Sequence, residues 1–246
     1  MKYRHQLIQQ NLYRLTASWN EFTTVSLIDL PFKYLINAPM DGWCLLHAFV
    51  MAFKSVKSYH PISINKIRGD IINNFENFCN QNPGFFDSSE MNKYELVDYL
   101  VRKEFETDVV DLIPKLLSKI YDCQINIYEI NRNVLVLENR NIFNSSILNI
   151  STPVINLLYK RDQSHYMALL NQRFTTEQIV EMKHEIFLAE NTDLLYELVQ
   201  NPYFKEVAFN FPCPPTSESL SSSSEINEDQ PLSRSSKLIA KKIKTG

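Results

Sequence analysis

Asp41-Gly42-Trp43-Cys44-Leu45-Leu46-His47-Ala48-Phe49 puts a cysteine where a tight turn runs into an apolar helix. Pro39 and Gly42 are turn formers, and Gly42 tolerates backbone angles that a side chain forbids. From Cys44 onward, Leu45, Ala48, Phe49, Ala52 and Phe53 recur on one face of a helical period. The spacing predicts a buried helix from Cys44 to about Lys57. Cys44 then lies in the first turn, among backbone N–H groups that have no partner within the helix. Such a position favours thiolate over thiol and makes sulfur nucleophilic near neutral pH. A buried structural cysteine is the competing reading.

Working outward, Ile64, Ile67, Ile71, Phe75 and Phe78 mark one face of a second helix, stopped by Asn82-Pro83-Gly84. Asp87-Ser88-Ser89-Glu90 has capping-box spacing ahead of a third, with Met91, Tyr94, Val97 and Val101 at helical intervals. Val109 to Ile120 reads as a fourth, in which Pro114 implies a kink or a later start. The period then changes. Gln124 to Ile130 reads as a strand with Val134 to Leu137 as its hairpin partner. Val154 to Tyr159 and His165 to Leu170 read as two more, separated by the polar turn Lys160-Arg161-Asp162-Gln163. Two further helices follow, on Ile179, Met182 and Ile186 and on Leu194, Leu195 and Leu198. Residues 1–36 carry scattered apolar positions, read as a short helix and connections covering the core.

Composition bounds the function. The chain has 246 residues, 44% of them hydrophobic, enough for one ordinary domain with extensions. A net charge of −3 gives no electrostatic footprint for nucleic acid. The four cysteines form neither a CxxC pair nor a framework spacing, so neither zinc nor a disulfide scaffold is indicated. Met1 to Gln6 has no apolar region of the secretory type, and no run reaches the roughly 20 apolar residues of a membrane span. The expectation is an intracellular protein of cytoplasm or nucleus, where a working thiol stays reduced. From Pro214 the composition turns to serine, acidic residues and then lysines, the signature of a disordered tail.

A nucleophilic cysteine needs a base, usually histidine, and often a third group to orient the ring. His5 and His60 fall in terminal and loop segments, and His184 lies among charged neighbours on a helix. His47, three residues after Cys44, points along the helix and takes a packing role. His165, at the start of a strand after a polar turn, can lean over a helix N-terminus; a lone histidine at a sheet edge is the bland alternative.

Asp41-Gly42-Trp43-Cys44-Leu45-Leu46-His47-Ala48 resembles the D-G-x-C-[LF]-x-x-[AS] nucleophile motif of the ovarian-tumour (OTU) cysteine proteases, and Ser164-His165-Tyr166 resembles that family's distal histidine motif. The order of helices and strands between them is also similar. The resemblance covers roughly residues 30–172. It implies an α+β, papain-like OTU fold: a small mixed or antiparallel sheet flanked by helices, with the active site at the helix–sheet junction. The implied organisation is an N-terminal segment 1–29, a catalytic domain 30–172, a helical extension 173–213 and the tail 214–246.

Carried over residue by residue, Cys44 is the nucleophile and His165 the general base, while the Asp41-Gly42-Trp43 turn and the Cys44 N–H supply the oxyanion hole. The implied activity is a deubiquitinase that hydrolyses isopeptide bonds between ubiquitin, or a ubiquitin-like modifier, and lysine through a thioester. No metal or organic cofactor is implied. Two positions depart from the pattern. Trp43 stands where the family more often has a small polar residue. Met167 stands two residues after the histidine, where many members place Asp or Asn, and its thioether is a poor acceptor. The third member then comes from upstream: Asp41 is the motif-matched candidate and Asn37 the second, although Asp41 could equally brace the turn or cap the helix. Two alternatives stay open, a non-catalytic module binding ubiquitin or a protein partner and a protease of this fold that cuts a peptide bond.

Overall fold

Ten consecutive side chains, Cys44 to Phe53, are buried in the first helix, α1 (Cys44–Val56). A helix apolar all round belongs in the middle of a core. The computed structural model describes residues 22, 24–26, 32–57, 61–82, 91–104, 107–131, 134–144, 151–192 and 194–210. Their elements, after strands β1 (Thr24–Ser26) and β2 (Tyr34–Asn37) and helix α1, are helices α2 (Ile64–Gln81), α3 (Met91–Arg102) and α4 (Thr107–Ile120). Strands β3 (Gln124–Asn131), β4 (Val134–Phe143), β5 (Val154–Lys160) and β6 (His165–Leu170) come next. Helices α5 (Thr176–Glu190), α6 (Leu195–Gln200) and α7 (Lys205–Asn210) close the described chain.

The strands form one six-stranded sheet in the order β1-β2-β6-β5-β3-β4, mixed because β3 and β5 run parallel while the other neighbours are antiparallel. The α+β class expected from the sequence is therefore met. α1 packs on β5 and β6, and α4 on β3 and β4. Register places Leu35 opposite Leu169 and Leu158 opposite Met167, so these four share a face and cluster with Phe32. Met167 is thus a core side chain.

Local chemistry sets the helix starts. The Ser63 side chain accepts the Lys66 N–H at 3.2 Å and begins α2. Thr175 and Gln178 form a reciprocal capping box at α5. Pro114 neither delays nor ends α4, which begins at Thr107 and continues past it. Where the stretch 1–36, read as a short helix with connections, is described, it holds β1 and the start of β2; residues 1–21 lie outside the described residues. β4 extends beyond Leu137 to Phe143, past a register shift opposite Asn126 and Tyr128. The Asp87–Glu90 capping box lies outside the described residues, as do His5, His60 and the tail 214–246. Residues 1–210 make one unit and residues 211–246 a second. Among the described residues, no helix is long and apolar enough to cross a membrane.

Candidate active site

β6 lies between β2 and β5, and that insertion builds the site. Asn37 pairs directly with Met167 in the β2–β6 ladder. His165, two residues before Met167, is its diagonal neighbour on the same face, within reach of a side chain. The bond is made: His165 Nε2 lies 2.8 Å from Asn37 Oδ1. Because a carbonyl oxygen only accepts, Nε2 carries the proton and Nδ1 keeps its lone pair. Both residues are buried, His165 at 2% and Asn37 at 3% exposure. The polar partner missing two residues after the histidine is supplied from the neighbouring strand.

Cys44 reaches the same strand start from α1. Its thiol donates to the Ser164 carbonyl, Sγ to O 4.0 Å, and the Tyr166 backbone N–H faces the sulfur. The nucleophile candidate therefore touches the backbone on both sides of His165. Ser164 itself has left-handed backbone, φ +48°, at the end of the 3-10 turn Arg161–Gln163. Among the hydrogen bonds of the described residues, the thiol's goes to that carbonyl and not to the imidazole.

The expected low-pKa thiolate is corrected. Burial pushes the Cys44 thiol from its ordinary 9.0 up to about 11, and the Asp41 carboxylate adds to the rise. The N–H groups of Tyr166, Leu45 and Cys44 pull the other way, so the helix start does favour thiolate, but at 3% exposure desolvation outweighs them. His165 moves down, from 6.5 to about 4, because of burial and then of Lys160, which pairs opposite it across β5–β6. These shifts favour neutral thiol and neutral imidazole near pH 7.

Asp41 makes its hydrogen bonds within the turn and to His47 and Lys103. Its Oδ1 accepts the Trp43 N–H at 3.0 Å, its carboxylate accepts His47 Nε2 at 3.0 and 3.1 Å, and Oδ2 accepts Lys103 Nζ at 2.9 Å. Burial alone would raise its carboxyl, but His47 and then Lys103 outweigh it and hold it near 2, below the ordinary 3.8. Asp41 braces the turn. Its Oδ1 bond occupies the Trp43 N–H within the turn. Gly42 has φ +86°, and a Cβ there would overlap the Lys103 carbonyl. His47 is fully buried beside this carboxylate, in keeping with its structural reading, while His184 is exposed.

Trp43 explains its own bulk. Its Nε1 donates to the Tyr99 carbonyl at 2.7 Å, and the Arg68 guanidinium lies 4.3 Å from its ring centroid. Arg68 is buried and donates to the carbonyls of Leu100 at 2.7 Å and Ala189 at 3.0 Å. Lys103 and Arg68 went unmarked in the sequence, because nothing local ties a lysine after one helix to a turn some sixty residues earlier. Among the described residues there is no group of three or more His, Cys, Asp or Glu able to hold a metal ion. No family model and no curated protein matches the chain.

Proposed function

We propose that the chain is a cysteine hydrolase of the OTU-like kind, acting on isopeptide bonds between ubiquitin or a ubiquitin-like modifier and lysine. One observation carries the reading: the Cys44 thiol packs against the strand start whose histidine is oriented by Asn37 with Nδ1 unprotonated. A nucleophile, a base and an orienter are the minimum for acyl transfer. The named substrate rests on the motif resemblance alone.

In the proposed reaction the thiol turns from the Ser164 carbonyl toward Nδ1 of His165. Sulfur attacks the carbonyl carbon as Nδ1 takes the thiol proton. The tetrahedral oxyanion is met by the Cys44 N–H at the helix start. Collapse breaks the C–N bond, and the imidazolium gives its proton to the departing lysine amine. Water, deprotonated by the now neutral imidazole, hydrolyses the thioester and returns the thiol. With thiol and imidazole near 11 and 4, proton transfer accompanies attack and does not precede it.

A second reading, a modifier-binding module without catalysis, draws support from the same buried thiol and its bond to Ser164. A ubiquitin probe bearing a thiol-reactive C-terminus separates the two. The enzyme reading expects covalent labelling that disappears in Cys44→Ala, together with cleavage of ubiquitin conjugates by the wild type alone. Binding without labelling supports the module. Labelling that survives Cys44→Ala removes Cys44 as the nucleophile.

A further inference from the structure

Lys103 is the first residue past α3 and has left-handed backbone, φ +64°. A lysine is disfavoured in that region, so its surroundings must hold it there. Its carbonyl abuts Gly42 closely enough to forbid a Cβ there. Its ammonium donates to Asp41 Oδ2 at 2.9 Å and to Glu190 Oε1 at 2.7 Å, and lies 4.6 Å from the Trp43 ring centroid. The contacts with Gly42, Asp41 and Trp43 grip the turn that carries Cys44. Glu190 is the last residue of α5, and Ala189 beside it accepts from Arg68, which stacks on the same Trp43.

We propose that Lys103, fixed by Glu190, is a positioning residue for the Cys44 nucleophile, and that α5 thereby belongs to the catalytic unit. The proposal rests on the reading of Cys44 as the nucleophile. Two physical effects follow from the geometry. Gripping Gly42 and Asp41 fixes the helix start, and with it the N–H groups of Cys44 and Leu45 that face the sulfur. The ammonium also neutralises Asp41, whose carboxylate opposes ionisation of the thiol. Of the other titratable groups nearby, Tyr99 on α3 interacts electrostatically with the sulfur, His165 and Tyr166 follow Ser164 on β6, and His47 and Lys160 act on the His165 ring. Without the ammonium, Asp41 keeps its bonds to His47 and the Trp43 N–H but loses its lysine counter-charge, and Cys44 ionises at higher pH.

The test compares Lys103→Met, Lys103→Arg and Glu190→Gln in the full chain, with folding checked by circular dichroism. Two quantities are read: the pH dependence of Cys44 alkylation by iodoacetamide, followed on the Cys44 peptide by mass spectrometry, and kcat and KM on a ubiquitin conjugate. Lys103→Met is expected to shift the alkylation midpoint upward and to lower kcat about tenfold or more with little change in KM. Lys103→Arg recovers most of both losses, and Glu190→Gln falls between. A folded Lys103→Met with wild-type midpoint and kcat overturns the proposal. Should Lys103→Met fail to fold, Glu190→Gln decides by the same criteria, since that carboxylate is 45% exposed and tolerates neutralisation. A wild type that alkylates at Cys44 yet cleaves no conjugate defeats the substrate reading, and the alkylation shift still decides on Lys103.

Discussion

Replacing Asn37 by aspartate tests the assignment of the orienter by changing one charge and almost no volume. The side chain accepts from His165 Nε2 at 2.8 Å, so a carboxylate there meets the imidazole at the same atom. With the charge centres about 4 Å apart and an effective dielectric near 20, the pair attracts by about 4 kcal/mol, equivalent to about 3 pH units. The ring, held at about 4 by burial and Lys160, should then titrate at about 7. The assay is an NMR titration of the His165 ring in a Cys44→Ala background, which removes the thiol from the coupling. Cys44 alkylation in the Asn37→Asp single variant should rise near pH 6, where the new imidazolium sits beside the sulfur. Asp41→Asn is the control. It removes a carboxylate bonded to His47 and Lys103, and its loss should lower the His165 midpoint slightly, because that charge now holds the ring up. A midpoint that stays near 4 in Asn37→Asp while Asp41→Asn moves it strongly would refute the assignment and restore Asp41 as the partner.

Burial of a neutral histidine makes stability depend on pH in a stated direction. The folded His165 lies near 4 and the unfolded chain near 6.5, so on acidification the unfolded state takes the proton first. Stability is full above 6.5 and falls by at most about 3 kcal/mol as the pH drops to 4; urea denaturation at pH 7 and pH 4.5 measures it, and a His165→Gln protein that shows the same loss would assign it elsewhere. Gly42→Ala combines a positive φ with overlap against the Lys103 carbonyl, and should cost more than about 2 kcal/mol in denaturant titration. A cost below about 0.5 kcal/mol, the range of an ordinary surface change, would contradict that close approach.

Some of this architecture was legible along the chain. The period of α1, α2 and α3, the alternation of β3 and the apolar runs of β5 and β6 mark elements whose ends fall within a few residues of the observed ones. Those segments are long enough for their pattern to outvote local propensity. β1 and β2, three and four residues long, carry no period to detect. β2 becomes a strand because β6 offers it an edge. That explains why Asn37 ranked behind Asp41. Asp41 is near Cys44 in sequence, whereas Asn37 meets His165 only through a pairing 128 residues apart. Sequence position reports the first-turn N–H groups that draw the Cys44 thiol down, but not the depth of burial that outweighs them.

The distance along the chain between the sulfur and its neighbours also orders events during translation. Ser164, which holds the thiol, follows Cys44 by 120 residues, and Glu190 follows Lys103 by 87. At about 5–20 residues per second, a ribosome takes on the order of ten seconds to add the segment that ends in Ser164 and His165. Throughout that interval the emerging cysteine has neither His165 near it nor the central strand to pack on. The proposed Cys44–His165 pair is therefore assembled only after that segment has been added.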